Sequence, residues 1–254
     1  MPSSALEVYV EAFLARSAAA DSAGDAIITE PGILGLLASG SERRVRLLVT
    51  DDRALDRLSS LLDDARAGMV SVCAAAVRCQ ALLDGAPAWQ AGTATAMICR
   101  CLQTVPAATL PVGLTVRPVQ RFADDPPGGV SLQQAVAAAG RADPHTTDPR
   151  ALARHLRSLP RAFCLWGAVD GDGVVRATSA SAAFRATASV IFVNTDPGWR
   201  RRGVARAMAA LALRAAERAG ARHAGLDASE AGRELYLRLG FEAVTPIWRY
   251  RRAG

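Results

Sequence analysis

"WRRRGVARAM" (residues 199–208) sets three consecutive arginines before a glycine and the first turns of a helix. A helix N-terminus already offers backbone N–H donors without partners and roughly half a positive charge from its dipole. Gly203 and Ala205 stand at alternate positions with little or no side chain, so another molecule's atoms can approach those donors. Arg201, Arg202 and Arg206 add formal charge around them. Two readings compete here: a solvated basic loop, or a seat for a multiply charged anion. The lysine and hydroxyl of G-x-x-x-x-G-K-[ST] are missing, which argues against nucleotide hydrolysis. G-x-G-x-x-G is missing as well, which argues against a dinucleotide fold.

Around this turn the sequence alternates between strand and helix signals. "GLTVRPV" (113–119) reads as a strand. "SLQQAVAAAGRA" (131–142) and "DPRALARHLRSL" (148–159) read as helices, the second opened by Asp148 and Pro149. "AFCLWGAVDGDGVVRATSASAAF" (162–184) reads as two strands joined at Asp170-Gly171-Asp172-Gly173. "SVIFVNT" (189–195) is nearly continuous apolar sequence, as in a strand covered on both faces. The helix after the turn repeats Val204, Met208, Leu211 and Ala215 at helical spacing. "RHAGLDA" (222–228) reads as a strand, "SEAGRELYLRLG" (229–240) as a helix ended by Gly240, and "FEAVTPIWRYRR" (241–252) as one or two closing strands. The expectation is an α/β (α+β) fold with a mixed, mostly antiparallel sheet flanked by helices.

The sequence before this is less legible. "RVRLLVTDD" (44–52) with "RALDRLSSLLDDAR" (53–66), and "GMVSVCAAAVRCQALLDG" (68–85), each read as strand then helix. Residues 68–85 resemble a worn copy of 222–240, with Leu82 in the place of Tyr236. A proline-punctuated connector at 105–119 divides residues 1–110, an accessory or degenerate α/β half, from residues 111–254.

Bulk properties limit the function classes. Of 254 residues, half are hydrophobic and only 5% aromatic, which favours helix-rich α/β over an all-β sandwich. The net charge of +6, carried by arginine, suits anionic partners. Nucleic acid is disfavoured, because no aromatics interleave the arginines and no recognition-helix motif is present. No apolar run reaches membrane-spanning length, and residues 1–16 lack a basic leader region, so a cytoplasmic location is expected. Cys73, Cys79, Cys99, Cys101 and Cys164 lie in apolar stretches and read as reduced, mostly buried thiols. C-x5-C and C-x-C are poor zinc spacings, so no metal is expected.

The segment "NTDPGWRRRGVARAM" (194–208) resembles the acyl-CoA-binding motif of the GCN5-related N-acetyltransferases, R/Q-x-x-G-x-G/A, filled here by Arg200, Gly203 and Ala205. A second segment, "LDASEAGRELYLRLGFEAV" (226–244), is similar to that family's last conserved region, ending in Tyr-x-x-x-Gly-Phe. The resemblance covers about residues 114–252. It implies that the backbone of Arg201, Arg202, Gly203, Val204, Ala205 and Arg206 holds the pyrophosphate of acetyl-CoA. It also implies that Val193, Asn194 and Thr195 splay from the neighbouring strand and pair with the pantetheine arm. An amine of a small molecule or peptide would attack the thioester directly, and Tyr236 would protonate the departing thiolate. Ser229 stands where the family often has an asparagine contacting the cofactor. Two turns separate Ser229 from Tyr236, about 10 Å along a helix, with Gly232 between them. Asp227 and Glu230 suggest a capping box. Arg154, Arg157, Trp248 and Tyr250 are candidates for an acceptor wall. No carboxylate stands at the expected general-base positions, with Asp227 the nearest acid and His223 a further candidate. A non-catalytic acyl-CoA sensor is the alternative, and a homodimer is compatible with either.

Overall fold

Ser131 and Gln134 form a reciprocal capping box: the Ser131 hydroxyl accepts from the Gln134 N–H at 3.3 Å, and the Gln134 side chain accepts from the Ser131 N–H at 2.9 Å. Local signals of this kind set the elements of the chain, seen here in a computed structural model that describes residues 4–17, 26–37, 45–63, 67–122, 127–142, 149–158 and 163–252. In chain order the first elements are α1 (Ala5–Ser17), β1 (Ala26–Glu30), β2 (Ile33–Leu37), β3 (Val45–Val49), α2 (Leu55–Asp63), β4 (Ala67–Cys73), α3 (Val77–Asp84) and β5 (Trp89–Cys99). They continue with β6 (Thr115–Gln120), β7 (Val130–Ser131), α4 (Leu132–Ala142), α5 (Pro149–Ser158), β8 (Cys164–Val169), β9 (Val175–Phe184) and β10 (Thr187–Thr195). The last are α6 (Val204–Arg218), β11 (His223–Ala228), α7 (Glu230–Leu237) and β12 (Glu242–Arg252). The Asp148 cap expected for α5 lies outside the described residues.

The chain forms two compact units, each assembled from separated segments. One comprises residues 1–19, 98–226 and 235–242. Its strands run in the order β11-β10-β9-β8-β6-β7, antiparallel from β10 to β6 and parallel between β10 and β11 and between β6 and β7. The Asp170 carboxylate builds the β8–β9 turn by accepting from the N–H groups of Asp172 and Val174. One apolar cluster joins Ala135, Val136, Ala138 and Leu156 of α4 and α5 to Leu165, Ala180 and Ala182 of the sheet. A second joins Val204 and Met208 of α6 to Ala168 and Ala177. Small residues on β9 and α6 let the helix seat closely on the strands.

The other unit comprises residues 20–97, 227–234 and 243–254. Its strands run β1-β2-β3-β4-β12, with only β3 and β4 parallel. The sequence β1-β2-β3-α2-β4-α3 repeats the topology β8-β9-β10-α6-β11-α7: two antiparallel pairings, a helix crossover, a parallel strand and a second helix. At the strand-to-helix turn, however, the copy carries Asp51 and Asp52. The Asp51 carboxylate accepts from the Arg53 N–H at 3.0 Å, and that of Asp52 accepts from the N–H groups of Arg78 and Cys79 at the start of α3. The unit's own carboxylates thus occupy these helix-start donors. Trp248 and Tyr250 do not form an acceptor wall: Tyr250 is buried in this unit's core with its hydroxyl donating to Asp84 at 2.6 Å, and Trp248 packs on the same cluster. Arg157 is exposed, and the side chain of Arg154 lies outside the described residues. Cys73, Cys79 and Cys99 are buried, while Cys101 and Cys164 are exposed, contrary to their apolar surroundings in sequence.

Candidate functional site: a forked strand and an arginine–glycine turn

Strand β10 begins as a regular member of the sheet and ends apart from one neighbour. Its parallel ladder with β11 holds three pairs, Thr187–His223, Ala188–Ala224 and Ser189–Gly225, and goes no further. On the other side its register with β9 slips between Ile191 and Asn194, where Phe192 takes a left-handed φ of 59°. A bulge of this kind bends a strand and re-aims its side chains and its free backbone groups. The fully buried Thr178 of β9 holds it in place: its hydroxyl donates to the Phe192 carbonyl at 3.0 Å and accepts from the Asn194 amide at 3.4 Å. Exposure rises along the same strand, from buried Thr187–Val190 to half-buried Ile191, Phe192, Val193, Asn194 and Thr195. The edge of β10 facing β11 therefore offers main-chain donors and acceptors to an extended ligand, as an open sheet edge does. Thr178→Val, isosteric but without the hydroxyl, should lose about 1–2 kcal/mol by leaving the Phe192 carbonyl unpaired, read as a lower midpoint in denaturant.

The turn after β10 is locked by charge. The Asp196 carboxylate accepts from the Gly198 N–H at 3.1 Å, from Arg141 at 3.2 Å and from Arg176 at 3.5 Å, and its own N–H donates to the Arg176 carbonyl. Burial alone would raise this carboxyl; the Arg141 hydrogen bond, the Gly198 N–H and the charges of Arg176 and Arg141 outweigh it and hold the group below its ordinary value. Arg176 in turn pairs with Asp170 at 2.6 Å. Arg200 donates to the carbonyls of Thr195 and Ala142, pinning the end of β10 to the end of α4. Asp196→Asn would remove the carboxylate that Arg141 pairs with and the weaker of the two that Arg176 pairs with. It should cost about 1–3 kcal/mol, seen as a drop of roughly 5 °C in the thermal midpoint.

Beyond this anchor the backbone turns outward. Arg201 has a φ of 61°, and Gly203, at the N-cap of α6, has φ 80° and ψ 0° with no side-chain cap. The Ala207 N–H takes the Gly203 carbonyl, but among the described residues no acceptor serves the amides of Arg201, Arg202, Gly203, Val204, Ala205 and Arg206. Arg201, Arg202, Gly203 and Arg206 are exposed, and the Arg202 guanidinium lies 5.2 Å over the Trp199 ring. A Cβ built on Gly203 would have nothing within 4 Å, so an approaching ligand meets no protein there. Unpartnered donors, a helix dipole and fixed arginine charge together suit a diphosphate. Arg200 lies outside this set, because its side chain is committed to backbone carbonyls.

Tyr236 lies in the same unit as β10 and the turn. It is half-buried, its ring edge-on to Phe241 at 5.7 Å, and its carbonyl accepts from the N–H groups of Leu239 and Phe241 where the chain turns at Gly240, φ 86°. Burial pushes its phenol above the ordinary value of 10.0, so the hydroxyl keeps its proton throughout the neutral range. Ser229 falls in the other unit. Its hydroxyl accepts from the Gly232 N–H at 3.3 Å, which makes Ser229 the cap of α7. The Asp227–Glu230 capping box does not form, because β11 extends through Ala228 and carries Asp227 within the strand. Sequence reading missed Thr178, Asp196 and Arg141. Of these, only Asp196 carried a signal, an aspartate directly before Pro197 at the start of a helical turn.

The match to known proteins follows the same geometry. Residues 132–241 match the family model described as "Acetyltransferase (GNAT) family". A solved GCN5-related N-acetyltransferase from Kribbella flavida is similar over 100% of this chain and 97% of its own, with 18% identity and a TM-score of 0.65. One from Sphaerobacter thermophilus is similar over 88% of this chain and 78% of its own, with 17% identity and a TM-score of 0.56. A tandem GNAT protein from the clavulanic acid biosynthesis pathway is similar over 87% of this chain and 78% of its own, with 15% identity and a TM-score of 0.53. A search of curated proteins gives no match. No helix among the described residues is long and apolar enough to cross a membrane, and none of their His, Cys, Asp and Glu side chains group into a metal site. The bulged strand, the arginine–glycine turn and α6 all lie within residues 132–241, the stretch that matches the GNAT acetyltransferase family model.

Proposed function

We propose that the protein is an acetyl-CoA-dependent N-acetyltransferase, acting on an amine of a small molecule or peptide. The observation that carries this reading is the run of six amides, from Arg201 to Arg206, without an acceptor among the described residues at an arginine-lined helix start. On this reading those amides hold the coenzyme's pyrophosphate. The free edge of β10 at Val193, Asn194 and Thr195 pairs with the pantetheine arm and points the thioester into the fork. A backbone N–H at the bulge stabilises the oxygen charge that develops as the amine attacks the carbonyl directly. Tyr236, a protonated phenol, gives its proton to the leaving thiolate. The first half serves as an accessory, degenerate copy without a coenzyme seat, since its strand-to-helix turn carries Asp51 and Asp52 in place of the arginine–glycine run, and one coenzyme binds per chain.

A second reading, an acyl-CoA sensor without turnover, is favoured by the lack of any carboxylate on β10. One experiment tests both. Calorimetric titration should give one acetyl-CoA site per chain, and an amine panel should then release free CoA thiol. Binding without thiol release would establish the sensor; an absence of binding would remove both readings.

A further inference from the structure

We propose that Glu11 of α1 takes the proton lost by the attacking amine, through the hydroxyls of Ser189 and Thr187; this rests on the acetyl transfer proposed above. The two hydroxyls form a polar row leading inward from the fork. From Thr187 to Ile191 the pairing with β9 is regular, so residues 187, 189 and 191 share one face of the sheet. That face carries α4 and α5, because Ile191, Ala180 and Ala182 pack in their cluster. It is also the face on which the acceptor would approach if α4 and α5 shape its site. Ser189 is the last β10 residue in the ladder with β11. It is fully buried, and its Oγ has no hydrogen-bond partner. Its neighbours across the strands, Gly225 and Ala182, bring no polar side-chain atom to pair with it.

A buried hydroxyl without a partner calls for an explanation. The explanation lies one step along the same face. The fully buried Thr187 hydroxyl donates to the Glu11 carboxylate at 2.5 Å, which leaves the Thr187 oxygen free to accept from the side of Ser189. Side chains two residues apart on a strand stand about 7 Å apart. Hydroxyls turned toward each other narrow that gap to about 5–6 Å, which one water with two hydrogen bonds of about 2.8 Å would bridge. The helix that supplies Glu11 is otherwise apolar where it docks: Val8, Tyr9, Ala12, Phe13 and Ala15 are buried, and α1 packs on β9 and β10. A carboxylate is thus delivered to a strand that has none of its own.

The step balances. The nitrogen lone pair forms the C–N bond, the C–S bond breaks with its electron pair on sulfur, and Tyr236 protonates that sulfur. The surplus N–H proton passes to Ser189 while the Ser189 proton moves through water to Thr187. The Thr187 proton passes to Glu11, which ends as a carboxylic acid.

Glu11→Gln provides the test, because its amide oxygen still accepts from Thr187 yet takes no proton. Thiol release would be followed from acetyl-CoA alone, with water as the acceptor, and with the best amine of the panel, each in H2O and D2O. Glu11→Gln is expected to bind acetyl-CoA within about threefold of wild type and to release thiol at least about 100-fold more slowly. The solvent isotope effect should be larger in wild type than in the variant, and Ser189→Ala should reproduce the rate loss with binding retained. Wild-type turnover in Glu11→Gln, or a rate loss matched by lost binding or a melted fold, would overturn the relay. So would a wild-type protein that binds acetyl-CoA but releases no thiol above the buffer rate. Absence of acetyl-CoA binding in wild type would instead overturn the transferase reading on which the relay stands.

Discussion

A Gly203→Val protein is expected to bind acetyl-CoA at least about 100-fold more weakly than wild type while staying folded, its thermal midpoint lowered by roughly 5 °C. Gly203 sits at φ 80°, ψ 0°, a conformation that a β-branched residue enters at a cost of about 1–3 kcal/mol. The new Cβ meets no protein atom within 4 Å, so packing is not disturbed and the strain stays local. The chain relieves it by rotating the peptides on either side, and these carry the amides proposed to hold the coenzyme. About 1.4 kcal/mol is tenfold in affinity, so the strain contributes roughly one factor of ten. Misdirecting even one hydrogen bond to a charged group, about 1.5–3 kcal/mol, supplies the rest. Calorimetry on both proteins measures this directly. Unchanged affinity would show that the diphosphate is held elsewhere.

Tyr236→Phe should separate chemistry from binding. It removes one oxygen and keeps the ring against Phe241, so acetyl-CoA affinity should stay within about threefold. The rate of thiol release with an amine acceptor should fall about 10²–10⁴-fold. The pH dependence carries a sign. A phenol raised above its ordinary value is fully protonated below it and loses its proton only as pH rises through the raised value. Wild-type activity should therefore show no loss from this group between pH 7 and 9. A phenylalanine variant with the wild-type rate would leave the leaving thiolate to be protonated by water.

The stretch that matches the family model was legible in sequence because its signals are local. Three arginines and a glycine at a helix start, the Asp170–Gly173 turn and the glycine ending α7 each act within a few residues. What reading missed depends on partners far along the chain. The first helix, ALEVYVEAFLARS, is apolar on nearly every side, so no periodicity marked it before the sheet that buries it was known. Strands β1, β2 and β5 escaped notice for a related reason: WQAGTATAMIC in β5 alternates small residues with no clean apolar face. Thr178 could not be singled out because its role is set by a bulge in another strand. Trp248 and Tyr250 were assigned to a substrate wall because aromatic residues near a C-terminus look available, yet β12 pairs with β4 and takes them into a core. Ser229 reads as a ligand contact in an aligned motif and as a helix cap in the structure, and the same oxygen allows both.

The interleaving of the two units bears on how the chain acquires its shape during synthesis. The first helix emerges from the ribosome long before β9 and β10, the strands it covers. Strand β4 must wait for residues 247–251 before its second edge is paired. Neither unit can close early, so a nascent chain of about a hundred residues carries an unmet apolar helix and an open strand edge. Dividing the gene near residue 110 would strand both pieces in that state, each lacking a segment that only the other encodes.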